Sequence, residues 1–169
     1  MYDWEREALG VDTLGQIRGA IRTRVRVDLL NPSAQAWWIA TLYGPYIWKT
    51  WRVGLLHSSI AAFVDSPVTL PDPLVLRLPE YLATSMAGVS DVWEQVAVVP
   101  VLVEQRALAF AAFGLHRGEG DLDISQPRDR WELVAPTDIK SRFGLTDGQQ
   151  IAVTLIPAQL HRPDAPHQR

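Results

Sequence analysis

The clearest pattern in the chain is a strict alternation at Ile21–Asp28, where Ile21, Thr23, Val25 and Val27 alternate with Arg22, Arg24, Arg26 and Asp28. Period two over this length predicts a half-buried strand with its arginines on one face. Asn31-Pro32-Ser33 then supplies a turn and a helix cap. The stretch 34–43 has helical spacing, and Gly44-Pro45 interrupts it. A second helical stretch is expected beyond, because Trp48, Trp51 and Leu55 fall at i, i+3 and i+7, with Leu56, Ile60 and Phe63 extending the apolar side and His57 inside it. Pro67, Pro71, Pro73 and Pro79 exclude regular helix over the next segment, in which 74–78 reads as a short strand and 79–86 as one or two helical turns.

Two apolar strands follow, 92–103 and 107–113, joined by a hairpin at Glu104-Gln105-Arg106. A glycine- and charge-rich loop is predicted over 114–130. The final unit is a strand at 131–135, a helix at 138–143 opened by Pro136-Thr137 and closed by Gly144, a turn at Leu145-Thr146-Asp147-Gly148, and a strand at 150–156. A short helix is also expected at 3–9. Short strands with small helices between them predict a mainly β fold, a compact β-barrel with short flanking helices.

Composition narrows the function. The 169 residues suit one domain, expected over 1–157, with a disordered tail at 158–169. The absence of cysteine excludes disulfides, thiolate metal sites and cysteine nucleophiles, and fits a cytoplasmic location. No apolar run is long enough to span a bilayer, and the acidic, polar Met1–Arg6 has no signal-peptide core behind it. A net charge of -3 disfavours a nucleic-acid binder, and with it a transcriptional regulator built on an unrelated barrel. P-loop, dinucleotide GxGxxG, HExxH and GxSxG motifs are absent.

The stretch from Trp131 to Val153 resembles the C-terminal signature of the archaeal-type, CTP-dependent riboflavin kinases. That family ends with a glutamate, apolar residues and Ala-Pro, a short helix, and Leu-x-Asp-Gly-Asp before a strand. Glu132, Ala135, Pro136, Leu145, Asp147 and Gly148 match it, and Gln149 replaces the last aspartate. His116 sits comparably to a family histidine in the preceding loop. Upstream, Gly15, Ile17 and Gly19 lie on the family's glycine-rich strand-turn, with an arginine in place of the next glycine. The family's phosphate and magnesium motif is Pro-Gly-Thr-Leu-Asn, and Pro67-Val68-Thr69-Leu70-Pro71-Asp72 is the stretch laid on it.

The resemblance implies a cradle-loop-type barrel. It implies transfer of a nucleotide γ-phosphoryl group to riboflavin to give FMN, with Mg2+ held by Thr69 and Asp72 as the catalytic pair. His116 and Glu132 become substrate contacts. Arg22, Arg24 and Arg26 would supply phosphate-binding charge in place of the missing glycine cradle. The alternative is a non-catalytic relative that binds a flavin, a nucleotide, another small molecule or a partner protein. The bland readings are a proline-rich turn for Thr69 and Asp72, a solvated or edge-protecting face for the arginines, a loop histidine for His116, and core packing for Trp37, Trp38, Trp48 and Trp51.

Overall fold

The computed structural model describes residues 1–9, 17–30, 38–56, 59–85, 95–115 and 128–159. Seven strands form one sheet: β1 (Ile21–Asp28), β2 (Ser59–Val68), β3 (Leu74–Arg77), β4 (Gln95–Val103), β5 (Ala107–Leu115), β6 (Arg128–Val134) and β7 (Gln150–Leu155). The order is β3-β4-β5-β6-β2-β1-β7, and β7 also pairs with β4 through Val101–Leu155, Leu102–Thr154 and Val103–Val153. That last ladder closes six antiparallel strands into a barrel. β3 is the extra strand, paired with the remaining edge of β4 at Gln95–Val98. Helix α1 (Asp3–Leu9), a π-helical segment (Ile39–Tyr43), α2 (Gly44–Trp51), α3 (Glu80–Ser85) and α4 (Ile139–Phe143) flank it.

The alternation at β1 appears as expected: Val25 and Val27 are buried, while Arg22, Arg24 and Arg26 are exposed. The β4–β5 hairpin turns where the sequence placed it. Arg106 N–H donates to the Val103 carbonyl at 3.0 Å, and Glu104 and Gln105 both take positive φ, 50° and 55°, the conformation of a type I′ turn. Glu104 compensates for its backbone strain by bracketing Ala152. Its N–H donates to the Ala152 carbonyl at 2.8 Å, and its Oε1 accepts from Ala152 N–H at 2.9 Å.

The expected helix through Phe63 is corrected. The helical turns run through Gly44-Pro45 without a break, since Pro45 sits in the first turn of α2, where its missing N–H costs nothing. They stop at Trp51, because Arg52 turns left-handed at φ 59°. Leu55 and Leu56 lie in the connection, and Ile60 and Phe63 belong to β2. There Ile60, Ala62 and Val64 are buried while Phe63 and Asp65 are exposed. The sequence fits both periods at once, and pairing with β1 on one side and β6 on the other selects the strand. Trp51 packs on Phe110 with ring centroids 5.0 Å apart, whereas Trp48 on the same helix is exposed. Trp37 and His57 lie outside the described residues.

One hydrophobic core runs from Ala8 and Leu9 to Ala158, so burial continues one residue beyond the expected domain end, and 160–169 lie outside the described residues. Among the described residues, no helix is long and apolar enough to cross a membrane.

Candidate functional site

A cleft of about 320 Å³ opens at one mouth of the barrel, where β1 and β6 end, β2 begins and α4 starts. Its position follows from local geometry. Asp28 ends β1 and accepts the Leu30 N–H at 3.1 Å. Leu29 N–H donates instead to Asp147 Oδ1 at 2.8 Å, so the Asp-Gly turn before β7 fixes how the chain leaves β1. Gly148 makes this possible: it holds φ 75° and donates its N–H to the Val27 carbonyl at 2.9 Å. Gln149, where the resembled family has aspartate, closes the same turn by accepting from Thr146 N–H at 3.0 Å through Oε1.

The second wall is α4. Asp138 caps it, accepting from Ser141 N–H at 3.2 Å and from the Ser141 hydroxyl at 2.7 Å. These bonds, the Ser141 hydroxyl first, hold the Asp138 carboxyl below its usual range. Gly144 ends the helix at φ 59°. The third wall is the connection into β2, clipped to β6 by the Leu56 N–H, which donates to the Ala135 carbonyl at 2.9 Å.

Leu29, Leu56, Ile60, Leu133, Ala135 and Ile139 make the cleft largely apolar. Its polar groups are Asp28, Thr137, Asp138 and Lys140: two carboxylates, one hydroxyl and one ammonium. Such a site accepts hydrogen bonds from a neutral ligand with an apolar body. Anions are disfavoured by the carboxylate excess.

The residues singled out from sequence fall in three places. Arg22, Arg24 and Arg26 line the outer face of β1, with Asp28 of the cleft next in the same alternation. Arg26 is held by Asp65 at 2.8 Å. Glu132 is buried in β6, opposite Ala61 and Ala112, with Arg130 3.6 Å away. It adjoins the cleft residue Leu133 in sequence and projects from the opposite face of the strand. Arg130 also lies over the Phe63 ring, 5.4 Å from its centroid.

Thr69 and Asp72 follow the far end of β2. Ile60, near the start of that strand, lines the cleft, which leaves Thr69 up to about 30 Å away along the strand at about 3.3 Å per residue. Between them Leu70 is buried, and Asp72 is exposed with φ 44°. His116 and Gly15 lie outside the described residues. The structure thus does not bring Thr69 and Asp72 to the cleft.

Sequence reasoning missed the connection that does reach it. Val53-Gly54-Leu55-Leu56 carries the Gly-x-Leu spacing of the Pro-Gly-Thr-Leu-Asn motif immediately before β2. The helical spacing of Trp48, Trp51 and Leu55, extended by Leu56, Ile60 and Phe63, hid this signal. At the motif's threonine stands Leu55, which has no oxygen to offer. The cleft carboxylates already serve the turn after β1 and the start of α4. Magnesium requires several convergent oxygens, with phosphates usually completing the shell, and the described residues of the cleft do not fit a magnesium-nucleotide centre. No protein-family profile matches the chain, and no curated protein matches it significantly.

Proposed function

We propose that this chain is a ligand-binding relative of the CTP-dependent riboflavin kinases, which takes up a neutral planar heterocycle bearing hydroxyl groups and does not transfer a phosphoryl group. Riboflavin is the first candidate. The reading is carried by one observation: the cleft joins apolar walls to a rim with two carboxylates and a single ammonium. A ring system would be desolvated against Leu29, Leu56, Ile60 and Ile139, while hydroxyls donate to the carboxylates of Asp28 and Asp138. A phosphate dianion in the same place would meet two like charges against one opposite charge.

The supporting pattern is the ring of residues shared with the kinase signature. Ala135 lines the cleft, Asp147 and Gly148 shape it, and buried Leu145 anchors the turn. Positioned donors and metal ligands matter most in a phosphoryl-transfer transition state, and Leu55 removes an oxygen at the motif's central position.

The test is a thermal-shift series with riboflavin, FMN, CTP and ATP, each with and without magnesium, followed by an assay for FMN formation. Riboflavin raises the melting temperature in proportion to RT ln(1 + [L]/Kd), FMN and the nucleotides do so less, and no FMN forms. Turnover of riboflavin to FMN with either nucleotide would replace this reading with the kinase itself.

A further inference from the structure

β1 pairs with β7 over Ile21–Arg26 and with β2 over Val25–Asp28, so the stretch that carries Arg22 and Arg24 is laddered to β7 alone. Arg26 is neutralised by Asp65, which Gln150 also approaches at 3.5 Å. Arg22 and Arg24 are exposed, and among the described residues neither makes a hydrogen bond, an ion pair or a ring contact. Opposite them on β7 stand Thr154 and Ala152, neither of them acidic. Two like charges on alternate residues of one strand face repel each other, and Asp65, an exposed carboxylate on this face, is engaged by Arg26.

We infer that Arg22 and Arg24 form a docking strip for an extended acidic segment of a partner protein. Alternate residues on a strand face lie about 7 Å apart. An extended peptide with carboxylates on every second residue has the same repeat, so each guanidinium meets one carboxylate in charge-assisted hydrogen bonds. Nucleic acid is disfavoured by the chain's net charge of -3. This inference is independent of the cleft.

The experiment is fluorescence anisotropy of a short labelled peptide alternating Glu and Thr, with full-length protein at low salt. The wild type binds it, added salt weakens binding, and Arg22→Ala/Arg24→Ala loses about tenfold or more in affinity while flattening the salt dependence. The melting temperature of that variant stays near the wild-type value, because both side chains are exposed. Arg22→Glu/Arg24→Glu reverses the preference and binds a Lys-Thr peptide instead. Equal affinity in wild type and the alanine variant would overturn the proposal. So would tighter binding of single-stranded oligo-dT than of the acidic peptide.

Discussion

Glu5 and Arg142, separated by most of the chain, form a 2.9 Å ion pair that anchors helix α1 to the C-terminal unit. Glu5 has no solvent exposure, and its carboxylate also accepts the Leu108 N–H at 2.9 Å and the Tyr2 N–H at 2.7 Å. Arg142 in turn donates to the Arg106 carbonyl at 2.9 Å and lies over the Tyr2 ring, 4.4 Å from its centroid. The N-terminal helix, the β4–β5 hairpin and α4 therefore share one polar junction. Arg142→Ala leaves Glu5 as a buried charge without its cation, and we expect a loss of about 3–5 kcal/mol in urea unfolding at neutral pH.

The same pair sets an acid limit on stability. Burial pushes the Glu5 carboxyl up, but the Arg142 guanidinium and the two backbone N–H groups outweigh it and hold the pKa below the ordinary 4.5. A carboxyl lowered on folding contributes stability that is complete above its unfolded-state pKa and is lost as pH falls through the folded-state value. The stability difference between wild type and Glu5→Gln should therefore be flat at neutral pH and shrink below 4.5. Urea midpoints measured across that range check this. A difference that grows on acidification would contradict the assigned shift.

Gln105 offers a stabilising change. It holds φ 55° at the hairpin turn and has a side chain whose Cβ disfavours that region. Gln105→Gly should raise stability by about 0.5–1 kcal/mol. Glu104→Gly, at φ 50°, should gain less or lose, because its carboxylate accepts the Ala152 N–H. Urea denaturation of the two variants separates turn strain from side-chain bonding.

Asp147 tests the wall of the cleft. Asp147→Ala removes the acceptor for the Leu29 N–H, costing about 1 kcal/mol at this exposed position. Riboflavin binding should weaken by more than the small stability loss accounts for, since Leu29 lines the cleft. Asp147→Asn, which keeps an oxygen acceptor, should restore most of both.

Much of this architecture was legible in the chain. Period two at Ile21–Asp28, the Glu104–Arg106 hairpin and the Pro136–Gly148 unit all sit where the pattern put them, because each is set by local rules of alternation, capping and turn chemistry. The cleft was not legible, for a specific reason. Ile60 and Phe63 satisfy helical spacing with Trp51 and Leu56 as well as strand alternation with Ala62 and Val64, and only the ladders to β1 and β6 decide between them. Pro67–Asp72, the stretch laid on the family's motif, follows the end of β2 away from the cleft. A barrel was expected, but which strands close it was not legible, since the β4–β7 pairing is non-local.

The most direct measurement is a titration of riboflavin fluorescence with the wild type and with Leu56→Glu. Leu56 is 39% exposed and lines the cleft, so this substitution adds a third carboxylate to the site without opening the core. The account predicts saturable quenching by the wild type and at least about tenfold weaker binding by Leu56→Glu, with the melting temperature of the free protein little changed. Absence of quenching by the wild type, or equal affinity in the two proteins, would contradict a flavin-binding cleft at this end of the barrel.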